Sequence, residues 1–275
     1  MPELPEVETV CRGLAPHLIG RRVEMVTCYR PDLRYPLPDL SVLRGQTCHN
    51  INRRAKYLQF AFDDVLLVWH LGMSGCFRVA DSCRGDDNAR PARHEHVWLL
   101  FSGDVSLRYI DPRRFGYAGL LPKNGWQQHA WFKSRGPEPL NDAFDGKYLF
   151  SRCQGRKIAI KPLLMDASVV VGVGNIYACE ALFRAAIHPT RAASRISRQR
   201  LNLLVFAVQE VLSEAIAAGG STISDFAHVD GNPGYFSHGF RVYGRDGQRC
   251  LHCNSEIRRL LQSGRSTFYC PRCQR

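Results

Sequence analysis

Pro2-Glu3-Leu4-Pro5-Glu6-Val7-Glu8 follows Met1 directly and combines proline with three carboxylates. Without Met1, Pro2 would present a secondary amine. Condensed with an aldehyde-like carbon, such an amine gives an iminium ion that cannot lose an N–H proton, so it stays an electron sink. Glu3 and Glu6 could then donate and accept protons. The same residues also suit a capped helix start, with Pro5 in the first turn and acids at the positive end of the dipole.

An apolar face continues this predicted helix to about Gly20, and its members recur at helical spacing: Val7, Val10, Cys11, Leu14 and Leu18. From about residue 23 to residue 121 the pattern changes to short apolar runs separated by turn residues such as Ser102-Gly103-Asp104. The clearest runs are 57–62, 65–71, 97–101 and 105–110. Such runs predict a β-sandwich or barrel.

Helical spacing returns after a Gly/Pro-rich stretch at 136–139, most clearly at 201–216, and Gly219-Gly220 is expected to end that helix. We therefore predict an α+β multidomain protein. Its parts are an N-terminal helix with a β-sandwich at 1–130, a linker or hinge at 131–147, a helical domain at 148–240 and a small module at 241–275.

The small module carries the spacing of a four-cysteine zinc site. Cys250-x-x-Cys253 and Cys270-x-x-Cys273 are separated by sixteen residues, which suits two knuckles that present four thiolates to one Zn²⁺. Disulfides are the alternative. No secretory signal or transmembrane run opens the sequence, so we expect a reducing compartment, which favours zinc.

The charge balance indicates a polyanionic partner. The chain has 37 Lys and Arg against 25 Asp and Glu, a net charge of +12. The segment from Arg241 to the end holds eight arginines and two acids, which favours a phosphate-binding finger. A solubilising charge excess is the alternative, and no basic amphipathic helix suggests membrane binding.

Three internal segments place a cation or a methionine at a turn. Lys56 precedes the run that begins at Tyr57, where it could reach a phosphate or a sugar. Met73 lies in the turn 70–75 and has a shape suited to wedging between bases, whereas Arg113 and Phe115 share the turn 111–116. A surface lysine, a core methionine and a solvated arginine pair are the alternative interpretations.

A glycine-rich segment at 171–175 precedes a predicted helix at 176–186 and is similar to an anion cradle at a helix N-terminus. It lacks the Walker lysine and the dinucleotide spacing, so no nucleotide cofactor is expected. A backbone phosphate of DNA fits the charge of the chain better, and a plain helix capped by Asn175 is the alternative.

Six ordered motifs together resemble the formamidopyrimidine-DNA glycosylase family of bacterial base-excision repair: PELPEVETV at 2–10, RRAKYL at 53–58, HLGMSG at 70–75, DPRRFG at 111–116, GVGNIYA at 172–178 and GRSTFYCPRC at 264–273. They span nearly the whole chain. The resemblance implies an N-terminal helix and β-sandwich, a helical helix–two-turn–helix domain and a C-terminal four-cysteine zinc finger, with damaged double-stranded DNA crossing between the domains.

The resemblance also implies catalytic roles. Pro2 matches the nucleophile that attacks C1′ of the damaged nucleoside, and Glu3 matches the proton donor at the sugar. Lys56 matches a lysine that contacts the lesion phosphates and contributes a proton in β-elimination. Arg265 matches the zinc-finger arginine assigned to δ-elimination. Because the pKa of an arginine side chain stays above about 12, arginine is a poor proton donor. We therefore expect Arg265 to bind phosphate through two hydrogen bonds instead of donating a proton.

Six further positions match DNA contacts of the family: Met73, His94, Arg113, Phe115, Arg156 and Asn175. Met73, Arg113 and Phe115 match a triad that fills the gap left by the extruded nucleotide. A glycine-containing lid at 219–235 is expected to cover the flipped base. The implied activity is a bifunctional glycosylase and AP lyase. It excises oxidised purines, 8-oxoguanine and formamidopyrimidines, through an N-terminal proline Schiff base with β,δ-elimination of the strand.

Two alternatives stay open. An endonuclease VIII-like glycosylase for oxidised pyrimidines usually begins PEGPE and lacks the methionine turn, so Leu4 and Met73 argue against it. A non-catalytic damaged-DNA-binding protein would result from an unprocessed Met1. We expect a monomer with one structural Zn²⁺, no nucleotide cofactor and no membrane partner, in the bacterial cytoplasm at the nucleoid.

Overall fold

The computed structural model describes residues 1–81, 91–220 and 239–275. The predicted lid at 219–235 lies outside the described residues from position 221 onward. The described chain forms two compact units. The first contains Met1–Lys133 with Gly219 and Gly220, and the second contains Ser134–Ala218 with residues 239–275. The four-part division with boundaries at 131, 148 and 241 stays a prediction.

Helix α1 (Leu4–Leu18) opens the first unit, with Pro5 in its first turn. Its buried side chains follow the predicted helical spacing, including Val7, Val10 and Leu14. The helix ends two residues before Gly20, whose φ of +82° is the left-handed conformation that favours glycine. The predicted opening helix is therefore confirmed.

Eight described strands follow in the first unit: β1 (Val23–Cys28), β2 (Asn50–Arg54), β3 (Tyr57–Ala61), β4 (Val65–His70), β5 (Cys76–Asp81), β6 (Glu95–Phe101), β7 (Val105–Ile110) and β8 (Tyr117–Pro122). They form two antiparallel four-stranded sheets, ordered β1-β6-β7-β5 and β2-β3-β4-β8. One buried cluster contains side chains of both sheets and of α1, among them Trp69, Phe77 and Leu14. This core confirms the predicted sandwich.

Strand β6 begins at Glu95, two residues before the predicted run at 97–101. Glu95 and His96 are buried but polar, so apolar patterning does not reveal them. Glu95 pairs with Ile110 across a register shift, and its carboxylate accepts from Arg108 Nη1 at 3.3 Å. Partners on β7 therefore extend the strand beyond its apolar residues.

The second unit contains four described α-helices: α2 (Gly146–Cys153), α3 (Ile160–Leu164), α4 (Asn175–Arg184) and α5 (Arg198–Ala217). Their apolar faces share one core that includes Leu149, Leu182 and Leu204. Gly219 and Gly220 follow α5 with φ of +75° and +80°, so the predicted helix end is confirmed. Short 3₁₀ segments lie at Leu40–Leu43 and Trp126–Gln128 in the first unit and at Ala193–Arg195 in the second.

Strands β9 (Arg258–Gln262) and β10 (Arg265–Tyr269) form an antiparallel hairpin in the second unit. Its turn is tight, with Ser263 and Gly264 at φ of +50° and +72°. A small core joins this module to α4 and includes Cys179, Val242, Ile257 and Phe268. Among the described residues, no helix is both long and apolar enough to cross a membrane.

Candidate active site and nucleic-acid interface

The amino terminus packs against the start of α1. Pro2 is buried, and Glu3 and Glu6 are only 4% and 1% exposed. The Glu3 N–H donates to Glu6 Oε2 at 2.8 Å, and the two glutamates form a reciprocal capping box. The helix-cap interpretation of these acids is confirmed. It also holds both carboxylates at the chain end, where proton transfer would need them.

Four charged side chains lie close enough to the terminal amine to shift its pKa. Burial lowers the pKa of the Met1 ammonium below its usual value. The Glu3 and Glu6 carboxylates oppose this shift. Lys56 and Arg113 reinforce it. The structure therefore brings two predicted catalytic residues, Glu3 and Lys56, and the predicted DNA contact Arg113 to the amino terminus.

Lys56 occupies the two-residue turn between β2 and β3, beside Ala55 in the left-handed conformation at φ +56°. Arg53 Nη1 donates to the Ala55 carbonyl at 2.8 Å, and Arg53 Nε donates to Glu8 Oε2 of α1 at 2.9 Å. The turn is therefore tied to the helix that carries the amino terminus. Sequence patterning missed this ion pair because its partners lie 45 positions apart.

Met73 is half-buried in the turn 71–75 that follows β4. Gly72 has φ +69°, and a Cβ there would lie 2.3 Å from the Phe115 carbonyl carbon, so the position requires glycine. The Gly72 N–H donates to His70 Nδ1 at 3.0 Å. Burial lowers the pKa of His70 to about 4, so at neutral pH this ring nitrogen stays available as an acceptor.

Arg113 and Phe115 project from the turn 111–116 between β7 and β8, and both are exposed. The Arg113 guanidinium lies 5.1 Å from the centroid of the Phe115 ring, within cation–π range. His94 is exposed and left-handed at φ +66°, and its carbonyl accepts the Asp111 N–H at 3.0 Å. The structure therefore places Met73, Arg113 and Phe115 on adjoining turns, with His94 beside the second turn.

A buried lysine joins three elements of the second unit. Lys161 of α3 is 1% exposed, and its Nζ donates to Asn175 Oδ1 and Thr267 Oγ1, each at 2.6 Å. Asn175 Nδ2 donates to the Ser266 carbonyl at 2.9 Å. These bonds hold the start of α4 against β10, whose first residue is Arg265. Sequence patterning missed Lys161 because Thr267 lies 106 positions away.

Arg265 and Arg156 are the predicted phosphate contacts of the second unit. Arg265 is exposed after the hairpin turn. It lines a cavity of about 250 Å³ together with Lys161, Pro162, Met165, Gln262 and Ser263. Arg156 is half-buried between α2 and α3, and its carbonyl accepts the Ser194 N–H at 3.2 Å. Arg265 and the buried Lys161 therefore line the same cavity.

The N-cap of α4 is Gly174, which offers no side-chain cap. The Asn175 side chain instead bonds Lys161 and Ser266. The interpretation of a plain asparagine-capped helix is therefore wrong. The anion cradle at 171–175 stays a prediction.

The four predicted metal ligands lie together. The sulfur atoms of Cys250, Cys253, Cys270 and Cys273 all lie within 4.8 Å of one another. The backbone N–H groups of His252 and Cys273 donate to the Cys250 and Cys270 sulfurs, each at 3.4 Å. Four thiolates at this spacing fit tetrahedral Zn²⁺, whose Zn–S bonds are about 2.3 Å long. The predicted structural zinc site is therefore confirmed.

Three family models match the chain in order: the formamidopyrimidine-DNA glycosylase N-terminal domain at 1–118, the formamidopyrimidine-DNA glycosylase H2TH domain at 135–227 and the zinc finger found in FPG and IleRS at 247–275. The formamidopyrimidine-DNA glycosylase of Phenylobacterium zucineum is 50% identical over 290 residues, with 100% of both chains covered. A complex of Lactococcus lactis Fpg with abasic-site DNA has a TM-score of 0.90 at 34% identity, with 99% of both chains covered. A complex of the wild-type Lactococcus lactis protein with DNA containing N7-benzyl-Fapy-dG has a TM-score of 0.90 at 35% identity, with 100% of both chains covered.

Proposed function

The chain belongs to the formamidopyrimidine-DNA glycosylase family, and from this premise we propose that it excises oxidised purines, 8-oxoguanine and formamidopyrimidines, from duplex DNA through a Schiff base on Pro2. It is a DNA-repair enzyme with glycosylase and AP lyase activities. The observation that carries the proposal is the burial of Pro2 beside the buried carboxylates Glu3 and Glu6, with Lys56 and Arg113 close enough to act on the terminal amine.

The nucleophile is the secondary amine that Pro2 carries once Met1 is removed. Pro2 is buried, and burial of an amine favours its neutral, nucleophilic form. The amine attacks C1′, the bond from C1′ to the base breaks, and the electron pair leaves with the base, which takes up a proton. The Pro2 nitrogen then loses its own proton. Glu3 donates a proton to the sugar ring oxygen as its bond to C1′ breaks, which leaves the iminium ion.

The iminium ion makes strand cleavage possible because it accepts electrons from the sugar. Loss of a C2′ proton expels the 3′ phosphate by β-elimination, and a second elimination expels the 5′ phosphate. Lys56 contacts the phosphates and contributes a proton in the first elimination. Arg265 clamps phosphate through its guanidinium fork. Cys250, Cys253, Cys270 and Cys273 would hold the zinc ion, and the four metal–thiolate bonds would stabilise the finger that carries Arg265.

Base extrusion requires the gap in the stack to be filled. Met73 in the first wedge turn (71–75) and Phe115 in the second wedge turn (111–116) separate the neighbouring bases. Arg113, held over the Phe115 ring, pairs with the orphaned cytosine. Three further residues contact the DNA in this proposal: His94, Arg156 and Asn175.

The DNA bound in the two Lactococcus lactis complexes contains N7-benzyl-Fapy-dG in one and an abasic site in the other. These complexes support purine lesions and abasic sites as substrates of this enzyme. 8-Oxoguanine carries N–H at N7, where guanine has an acceptor. A backbone carbonyl of the predicted lid at 219–235 would therefore accept from the lesion and reject guanine. We also propose that the enzyme acts as a monomer without a nucleotide cofactor, in the bacterial cytoplasm at the nucleoid.

Borohydride trapping with intact-mass measurement tests the proposal. With a duplex that contains 8-oxoguanine, we expect a protein that lacks Met1 and carries one reduced DNA adduct at residue 2. Cleavage by Met1-free protein without any adduct would contradict the Schiff base. Binding without cleavage by protein that retains Met1 is the result the non-catalytic alternative predicts. Preference for an oxidised pyrimidine duplex would favour the endonuclease VIII-like alternative.

Met73→Ala is expected to slow excision from paired DNA about tenfold or more, because the flipped state loses roughly 1–3 kcal/mol of stacking support. A pre-formed abasic site has no base to expel and should be cut with a smaller penalty. Single-turnover rates on the two duplexes measure the difference. Val42→Ala, at an exposed apolar residue of the same unit, is the control. Equal losses on both duplexes would mean that Met73 only packs the core.

Phosphate contacts should appear as salt dependence. Lys56→Ala, Arg156→Ala and Arg265→Ala are each expected to reduce the slope of log affinity against log salt by about one unit. Fluorescence anisotropy over a salt series measures the slope. Lys123→Ala is the matched control, because Lys123 follows β8 at the end opposite the wedge turns and donates to the Asp63 carbonyl at 2.9 Å. Slopes that match the native protein in all three variants would refute these contacts.

A further inference from the structure

The Asp111 carboxylate joins the two wedge turns and is shielded from solvent. Asp111 is 0% exposed. Its Oδ1 accepts the Ser74 hydroxyl of the first wedge turn at 2.7 Å, and its Oδ2 accepts the Gly116 N–H at the end of the second at 2.8 Å. The Tyr109 hydroxyl and the Arg113 N–H also donate to it, at 3.2 and 3.3 Å. One carboxylate thus receives donors from both turns.

The backbone of Asp111 is held as firmly as its side chain. Its N–H donates to the His94 carbonyl at 3.0 Å, and its carbonyl accepts from His96 Nε2 at 2.8 Å. His94 directly precedes β6, and His96 is the second residue of that strand. Buried polar groups are stable only where such partners satisfy them. The residue is therefore a fixed point to which both turns attach.

The two turns also interlock through close backbone packing. A Cβ on Gly72 would meet the Phe115 backbone at 2.3 Å. A Cβ on Gly75 or on Gly116 would meet the Tyr109 hydroxyl, at 2.1 and 1.8 Å. Neither turn can shift far without moving the other. The hydrogen bonds of Asp111 and this packing act on the same pair of turns.

We propose that Asp111 is a positioning residue that holds Met73, Arg113 and Phe115 as one preorganised wedge before DNA binds. The inference rests on the proposed wedge. Without the Asp111 hydrogen bonds the two turns would be less ordered before DNA binds, so extrusion would bear an entropic cost that the native protein avoids. Asp111 itself touches no reacting atom.

Asp111→Asn tests the inference, since the amide keeps the shape but turns one acceptor into a donor facing other donors. We expect single-turnover excision from paired 8-oxoguanine DNA to fall about tenfold or more. Cutting of a pre-formed abasic site should fall less, and the salt slope of binding should be unchanged. Ser106→Ala is the control, at a buried β7 residue whose hydroxyl donates to the Ala80 carbonyl at 3.1 Å. Circular dichroism melting checks the fold, and Ser74→Ala, which removes one donor only, replaces Asp111→Asn if that variant does not fold.

A double variant separates positioning from loss of stability. If Asp111 acts through the wedge, Asp111→Asn should cost much less in a Met73→Ala background than in the native protein. Additive losses, or equal losses on paired and abasic DNA, would overturn the inference while leaving the wedge intact. If Met73→Ala alone shows no difference between the two duplexes, the wedge assignment fails first, and the inference fails with it.

Discussion

Pro2→Gly, prepared with Met1 removed, is expected to lower borohydride trapping on an 8-oxoguanine duplex by roughly 100-fold, which corresponds to about 2.7 kcal/mol. The variant ends in a primary amine, and the iminium it forms can lose its N–H proton and become a weaker electron sink. Affinity for the lesion should change little, because binding uses residues of the turns and the finger. Trapping yield under single-turnover conditions and anisotropy binding measure the two quantities.

Pro5→Gly is the matched control for that experiment. Pro5 lies in the first turn of α1, where its fixed φ suits the helix, and it is also buried. The same substitution therefore weakens the helix start without changing the terminal amine. It should therefore lose stability but retain trapping. A Pro2→Gly protein that cuts damaged duplex at the native rate would exclude Pro2 as the nucleophile.

Removal of zinc, by chelation or by Cys253→Ser, is expected to abolish DNA binding, with a loss of affinity on the order of 100-fold or more. The finger core is small and includes Val242, Ile257 and Phe268. Such a module is folded by its metal, since structural zinc contributes about 10–16 kcal/mol in zinc-finger peptides. Without the fold, Arg265 loses the hairpin that presents it. Metal content, anisotropy and far-UV circular dichroism measure the outcome.

The rest of the protein should remain folded after zinc loss. Among the described residues, the fully buried core of the four helices is formed by side chains from Phe144 to Ala215, and the sandwich has a core of its own. Cys28→Ser, at an exposed free cysteine of β1, is the control and should keep native affinity. Full affinity after confirmed metal loss would contradict the assignment of Arg265 to the interface.

Features that depend on neighbours along the chain could be predicted from the sequence. Helix α1, the sandwich strands predicted at 57–62, 65–71, 97–101 and 105–110, and the glycine stop after α5 follow from local periodicity and from residues with special backbone freedom. The zinc site could be predicted in the same way, because two short Cys-x-x-Cys repeats form their knuckles locally and four thiolates suit tetrahedral Zn²⁺. The order of family motifs along the chain then indicated the fold and the enzyme class.

What the sequence by itself determined was therefore the opening helix, the clearest strands of the sandwich, the metal site and the family, and the chemistry of the terminal proline is proposed from that family. Only the tertiary structure decided which polar side chains would be buried, and against what. In the sequence, Asp111 is the first residue of a turn, Arg53 belongs to a basic run, and no local pattern distinguishes Lys161. Each is held by a side chain far along the chain: Ser74 for Asp111, Thr267 for Lys161 and Glu8 for Arg53. A buried polar group is stable only if its partners converge on it in space, and that convergence is a property of the folded chain that no local pattern encodes.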